Sequence, residues 1–574
     1  MAVTNLILYG PPGCGKTTVG RLVATRLGRE FVEGDEWIHN QWGRPVTTYF
    51  ESGEEALFRA REAEACRLWS SFDGKVIAPG GGALLDPHSR AALEGTGVVL
   101  CLTASLETLL DRLGESQIRP LLLGNTRASL TALLRERKRL YSSFALLVST
   151  VGRTVESVAD EVIARFQASE GITRFELGEC SVLMGRGLLS QLPEFLEARK
   201  LRPPFVGITD SNVASLYGDT VHQILSAPPV QFAGGEMYKT LDTVHELYSA
   251  CLARGLERGG TVLALGGGVV GDVAGFVAAT FMRGVRWVNL PTSVLAMADS
   301  SLGGKVGVDL PQGKNLVGAF HPPSLVVADF DTLATLPEVE IRNGLAEVVK
   351  AGVIGDPDLF ACLPSLAAES ADPSMPPPLR FAAGATPAPD AGAGVVRSAT
   401  GTIVPLHFVT GTVASVRGWC AVQQAISLEK AIARAAAVKV GIVNADPREN
   451  GERAKLNAGH TIGHGIEVAS GYTIRHGEAV AIGLCSEAHI AESLGLAERG
   501  LAERFAVLLM QLGLPTDCVG LDAAAIRASM RSDKKKSDGK LRFALPRQVG
   551  EVVCGIKVDE TLITETLEII TGVR

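Results

Sequence analysis

Apolar positions along the chain follow two rhythms: short unbroken runs, and longer stretches in which they return every three or four residues. TNLILYG is a run of the first kind and predicts a strand, whereas VGRLVATRL has the spacing of an amphipathic helix. The alternation restarts after about residue 175, where FVGITDSNV predicts a strand ending at Asp210 and Asn212, and TVLALG runs into GVVGDVAGF. Strands alternating with helices indicate an α/β class. Farther on, the segments around Glu347 and His460 and the stretch LEKAIARAAAVKVG read as helices. Residues 261–282 are apolar enough to resemble a membrane span. Gly266, Gly267, Gly268, Gly271, Gly275 and Asp272 inside that run fit a buried strand turning into a helix better.

The 574 residues exceed one hydrophobic core and argue for three or four domains. A net charge of −7, with Lys and Arg spread along the chain, gives no field for nucleic acid or an anionic membrane. Ten cysteines without CxxC pairs, and no secretory signal, predict a reducing cytoplasm. One stretch breaks both rhythms: eight prolines fall between Pro364 and Pro405 amid Ala and Gly. Such composition resists regular structure, so part of residues 365–425 is an insertion or a shifted reading frame.

Three motifs carry chemistry. GPPGCGKT, Gly10 to Thr17, lies between a strand and a helix, as a P-loop requires. Its glycines, Gly13 and Gly15 among them, let N–H groups converge on phosphates; Lys16 reaches the β and γ phosphates, Thr17 offers its hydroxyl to Mg²⁺, and Thr18 adjoins them. Gly266, Gly268 and Gly271 have GxGxxG spacing, which serves a dinucleotide pyrophosphate or simply close packing of strand and helix. His460 and His464 are four apart on one helix face; with His476 and Glu347 they form a His/His/Glu set that suits zinc.

Residues around the P-loop resemble shikimate kinase over nearly all of the first 168 positions. The signals are EFVEGDEWI with Glu33 and Asp35, ALFRAREAEA with Arg59 and Glu62, IAPGGGAL with Gly80, Gly81 and Gly82, QIRPLL with Arg119, and ERKRLY with Arg137. The resemblance implies that Asp35 holds the acceptor hydroxyls, that Arg59, Arg137 and the glycines hold the shikimate carboxylate, and that Arg119 closes over the phosphates. Two positions depart from the pattern, Glu33 in place of Asp and Pro79 before the glycines. Gluconate and adenylate kinases are the nearest rivals.

From about residue 175 to the end, GGEMYKT, GGGVVGD, the stretch TFMRGVRWVNLPTSVLAMADSSLGGKVGVD, GKNLVGAFHPP, GLAEVVKAG, ENGERAKLNAGHTIGHGIE, IRHGEAV and DKKKSDGKLRFALP resemble 3-dehydroquinate synthase. ASEGITRF, residues 168–175, reads as the linker between the two halves. The expected domains are therefore a kinase at 1–168, an NAD-binding α/β domain at 175–335 and a helical zinc-binding domain at 336–574. The resemblance implies NAD⁺ held by Asp210, Asn212, Glu236, Lys239, Gly267, Gly268, Asp272, Thr292, Ser293 and Lys314, and Zn²⁺ or Co²⁺ on Glu347, His460 and His476. It implies the substrate 3-deoxy-D-arabino-heptulosonate 7-phosphate. Lys305, Asn315, Asn457, one of Lys534 to Lys536 (Lys535 as the choice) and Arg283 from a second subunit would take its phosphate. Lys439 and Arg453 would take its carboxylate, and Asp299, Lys350 and His464 would line its hydroxyls. Lys305, Lys350, Glu449 and His464 are the catalytic candidates, with His464 and Glu449 moving protons. A homodimer through this half is expected. A metal-dependent polyol dehydrogenase is the main rival, and an inactive binding module the second.

Overall fold

The computed structural model describes residues 4–113, 126–311, 313–369, 396–397, 403–404, 426–449, 451–532, 536–537 and 540–573. They form two compact units: Met1–Thr292 with Ser300–Ala334 and Ala436–Ala445, and Ser293–Asp299 with Thr335–Ala435 and Asp446–Arg574.

The first unit holds two sheets. In the first, β1 (Asn5–Tyr9), β2 (Phe31–Glu33), β3 (Val76–Ala78), β4 (Gly97–Thr103) and β5 (Leu146–Ser149) pair in parallel in the order β2-β3-β1-β4-β5. β1 is central and buried on both faces, which is why Leu6 to Tyr9 form an unbroken apolar run. It ends at the P-loop, and the helix Lys16–Leu27 follows.

The second sheet comprises β6 (Thr173–Leu177), β7 (Cys180–Gly185), β8 (Phe205–Asp210), β9 (Val230–Phe232), β10 (Thr261–Gly266) and β11 (Arg286–Pro291). After a hairpin of β12 (Lys305–Leu310) and β13 (Gly313–Phe320), β14 (Leu325–Asp329) completes it. The order is β6-β7-β14-β11-β10-β8-β9, antiparallel only between the edge strand β6 and β7. The membrane-like stretch resolves into β10, a glycine turn and the helix Gly268–Thr280. That helix is buried almost all round because it packs between the sheet and the β12–β13 hairpin. No helix among the described residues is long and apolar enough to cross a membrane.

The linker is shorter than its composition predicts. The helix Val155–Ser169 continues until Phe166 is seated in the first core, and β6 starts at Thr173 to place Phe175 in the second sheet of the same unit, leaving 170–172 between them.

The second unit is largely helical, and the longest of its antiparallel pairs joins Phe543–Gln548 to Glu551–Ile556. Ile462, Ile466, Ile482, Phe543, Leu545 and Leu567 meet in its core. The Pro/Ala/Gly-rich insertion lies outside the described residues apart from its ends and four residues at 396–397 and 403–404. Its ends are clasped: the Ile426 N–H donates to Ser365 Oγ at 3.1 Å, and Ser365 Oγ donates to Cys362 O at 2.7 Å. Beside them Arg434 makes a bidentate pair with Asp356, at 2.8 and 2.6 Å.

Candidate active site

In the kinase half, Gly10, Gly13 and Gly15 all take positive φ, so successive N–H groups of the loop turn inward ahead of the helix Lys16–Leu27. Lys16 Nζ donates to the carbonyls of Gly10 and Pro11, at 2.8 and 3.1 Å. Thr17 and Thr18 occupy the first turn of that helix, which has no acidic side chain to compete for phosphate.

Asp35, Arg59, Glu62 and Arg137 come together around the glycine triplet. A Cβ on Gly80 would lie 2.5 Å from Glu62 Oε1 and 3.4 Å from Asp35 Oδ1, and one on Gly82 would lie 2.5 Å from Arg59. Only glycine admits this convergence of Asp35, Arg59 and Glu62. The Gly81 carbonyl accepts from Arg137 at 2.7 Å and from the Tyr9 hydroxyl at 2.8 Å, which fixes the loop. Burial raises the Glu62 pKa, and its ion pair with Arg59 opposes that shift. Glu33, the atypical acid, accepts the Glu36 N–H at 2.8 Å and so caps the helix that carries Asp35. Arg119 lies outside the described residues.

The glycine turn after β10 leads straight into the N-terminus of a helix. Gly267 precedes the first turn of the helix Gly268–Thr280, and a Cβ on Gly271 would stand 3.1 Å from Asn289 on β11, so that glycine serves strand–helix packing. The Thr292 N–H donates to Gly266 O at 3.0 Å. Around it lies a charge network: Lys239 Nζ donates to Asp272 Oδ2 at 2.6 Å and Asn315 Oδ1 at 2.7 Å, the Asn315 N–H donates to Asp309 at 2.7 Å, and Lys314 pairs with Glu236 at 3.0 Å. Asn315, expected on phosphate, is thus bonded to a residue expected on NAD⁺. Asp210 caps the next helix by accepting from the N–H groups of Asn212 and Val213, at 2.8 and 2.9 Å. Lys305 opens β12 with its ammonium 5.9 Å from the Phe320 ring centre, while Arg283 is exposed with φ 68°. Lys439 is buried on the helix Leu428–Ala445.

In the second unit, Glu347 on the helix Glu338–Gly355, His460 at the start of His460–Ala469 and His476 at the start of His476–Ser493 bring their ligand atoms within 4.8 Å of one another. His460 Nδ1 lies 3.1 Å from the Ala458 carbonyl, so the proton sits there and Nε2 faces Glu347, 3.5 Å away. His476 repeats the pattern, with Nδ1 3.2 Å from Glu467 and Nε2 3.2 Å from Glu347. Burial raises the Glu347 pKa, yet Lys350 and His476 outweigh it and hold the carboxyl well below its usual range. Burial likewise opposes charge on His476, but Glu347 and Glu467 push it up to about 10. Two neutral-capable imidazole nitrogens and a carboxylate, in a pocket that favours positive charge, fit a divalent cation. His464 joins a second group with Glu467 and His476. Lys350 donates to Asp299 at 3.3 Å and also pairs with Glu347.

Ser293 accepts from the Ala296 N–H and starts the turn that delivers Asp299. Asp446 accepts from the N–H groups of Gly451 and Arg453, at 2.8 and 3.1 Å, and orders the loop that carries Glu449. Asn457 closes the short turn just before His460. Lys535 lies outside the described residues.

Two carboxylates went unread in the sequence. Glu467 is three residues after His464 and could have been found by helical spacing. Glu487 could not: it is fully buried on another helix and accepts the N–H groups of Gly459, Thr461 and Ile462, at 2.6, 3.1 and 3.4 Å. It therefore fixes the turn that aims His460. Glu487→Ala is expected to weaken Zn²⁺ affinity about tenfold in a chelator competition, with Glu487→Gln, which keeps an acceptor oxygen, recovering most of it.

Comparison with known proteins follows the same division. A family model described as shikimate kinase matches residues 12–167, one for the N-terminal part of 3-dehydroquinate synthase matches 229–343, and one for its C-terminal part matches 413–536. The 3-dehydroquinate synthase of Symbiobacterium thermophilum is 40% identical over 389 residues, 66% of this chain and 94% of that protein. That of Xanthomonas campestris pv. campestris is 42% identical over 376 residues, 63% of this chain and 88% of the relative. A solved 2-deoxy-scyllo-inosose synthase, complexed with carbaglucose-6-phosphate, NAD⁺ and Co²⁺, is 26% identical with a TM-score of 0.53, covering 69% of this chain and 99% of its own.

Proposed function

This chain belongs to the 3-dehydroquinate synthase family and carries a shikimate kinase domain ahead of it, and from that premise we propose which of its residues perform the two reactions. It is a bifunctional shikimate-pathway enzyme that phosphorylates shikimate at O3 with ATP and converts 3-deoxy-D-arabino-heptulosonate 7-phosphate to 3-dehydroquinate and phosphate. We assign the kinase to 1–168, the NAD-binding domain to 175–335 and the metal-binding domain to 336–574.

In the kinase, the loop N–H groups and Lys16 hold the transferring phosphates and Thr17 is the protein ligand of Mg²⁺. Arg59 and Arg137 grip the shikimate carboxylate, which leaves its hydroxyl at Asp35. Asp35 orients that hydroxyl and takes its proton as the oxygen attacks.

In the synthase, Glu347, His460 and His476 hold the metal ion and the glycine turn holds the nicotinamide cofactor; when bound, these supply Lewis acidity and a hydride acceptor that is restored within each turnover. Lys305, Asn315, Asn457 and Arg283 fix the substrate phosphate, and Lys439 and Arg453 its carboxylate. Asp299 and Lys350 orient the hydroxyls. His464, half-buried and 4.0 Å from Glu467, is placed to relay a proton, and Glu449 is the second proton-transfer group. We further propose a cytoplasmic homodimer: the nine described cysteines are free thiols, and Met282 and Arg283 stand exposed on left-handed backbone.

The convergence of Glu347, His460 and His476 beside Lys350 carries the synthase reading. Purified protein given heptulosonate phosphate and catalytic NAD⁺ is expected to release phosphate with no net NADH. Stoichiometric NADH would instead assign a polyol dehydrogenase.

A further inference from the structure

The kinase, the NAD-binding sheet and the segment Ala436–Ala445 share one compact unit, and the contact between kinase and synthase residues within it is specific. The connection is only 170–172, so the strand β6 is held close to the end of the kinase helix Val155–Ser169. β6 is an edge strand, and an edge needs cover. The kinase helix Pro87–Glu94 and strand β4 lie against it. Glu94, at the end of that helix, is 5% exposed and pairs with Arg90 at 2.8 Å, and Arg90 is held in turn by Ser143 at 2.8 Å and by the Phe144 ring. Burial raises the Glu94 pKa to about 7, Arg90 opposes the shift, and the Glu176 main-chain N–H on β6 faces the same carboxyl. A buried carboxyl is tolerated where such partners meet it.

The other side of Glu176 leads to the helix Leu428–Ala445. The Glu176 carbonyl accepts from Asn444 Nδ2 at 2.8 Å, and Asn444 Oδ1 accepts the Gly178 N–H at 3.2 Å. Nearly one turn earlier, Gly441 meets the kinase directly: a Cβ there would lie 2.9 Å from His88 Nδ1 and 3.1 Å from His88 Cα. Glycine inside a helix costs about 1 kcal/mol relative to alanine. Its position against His88 gives that cost a reason. Lys439 is two residues away on the same helix, and His88 follows the kinase acceptor loop Gly80–Gly82 by six residues.

We propose that the kinase domain is docked on the synthase through His88 against Gly441 and the segment around Glu94 against β6, and that this seam positions the backbone presenting Lys439. The second clause rests on the assignment of Lys439 to the substrate carboxylate. The kinase is then a structural part of its neighbour's binding site, and the fusion has a mechanical reason beyond shared expression.

A full-length His88→Cys, Gly441→Cys protein tests the docking, since a Cβ at 441 would lie 3.1 Å from the Cα of residue 88 and replacing His88 removes the ring that it would strike. Oxidation is expected to join the two positions, shown by non-reducing peptide mapping, with kinase activity kept. Absence of the cross-link in protein with both activities overturns the docking. Gly441→Leu in the full chain tests the second clause: the synthase KM for heptulosonate phosphate is expected to rise about tenfold with kinase constants unchanged. An unchanged synthase KM beside a successful cross-link overturns the positioning role. Lys439→Ala locates that failure, because an unchanged KM there refutes the lysine assignment and a raised KM refutes only the coupling.

Discussion

Replacing His460 by alanine should cut synthase turnover roughly a thousandfold or more, because the lost metal coordination is worth several kcal/mol of transition-state stabilisation. His460 is the one ligand whose orientation is set by main-chain geometry: its Nδ1 faces the Ala458 carbonyl, and Glu487 holds the turn beneath it. Alanine removes the donor while leaving Glu347 paired with Lys350, so the buried carboxylate keeps a partner and the fold should survive. The measurements are metal content per chain and phosphate release, with shikimate phosphorylation on the same preparation as the control for folding. Chelation of the native protein should reproduce the loss, and added Zn²⁺ or Co²⁺ should restore it only when His460 is present. A metal-depleted protein with full synthase turnover would remove Glu347, His460 and His476 from the mechanism.

Lys16→Ala is expected to lower shikimate kinase turnover on the order of a thousandfold, since it removes a charge that acts on the transferring phosphoryl group. Synthase turnover should stay within about twofold, because Lys16 has only the loop residues Gly10, Pro11 and Cys14 among its hydrogen-bond partners, none of them on the helix Pro87–Glu94 or the strand β4 that lie against β6. Coupled assays of both reactions on one sample check this. Loss of both activities in a folded protein would refute the division of labour along the chain.

The sequence was most legible where chemistry is local. The P-loop, the glycine turn and the His460/His464 pair each depend on residues within one turn or helix, and their spacing shows it. The membrane-like stretch was also legible, because five glycines and Asp272 are incompatible with a lipid-facing helix. Partners that meet from distant segments were not. Lys239, Asp272 and Asn315 come from three separate elements, and each taken alone reads as a solvated polar residue. Glu487 sits in an apolar helix, where its three N–H partners lie more than twenty residues away. The linker was overestimated because polar residues at a helix end and a strand start have the composition of a loop. His88 and Gly441 carry no local sign at all, since their meaning arises from the packing of one domain on another.

The clasp between Ser365 and Ile426 has a consequence for how the gene can change. With Arg434 and Asp356 bonded alongside, the chain that departs at Ser365 and the chain that returns at Ile426 lie side by side. Lengthening a loop whose ends already meet costs only about 0.6 kcal/mol per doubling. In-frame gain or loss of codons between the two ends is therefore expected to cost the fold little, and a reporter domain with adjacent termini inserted there, with both activities assayed, checks that expectation.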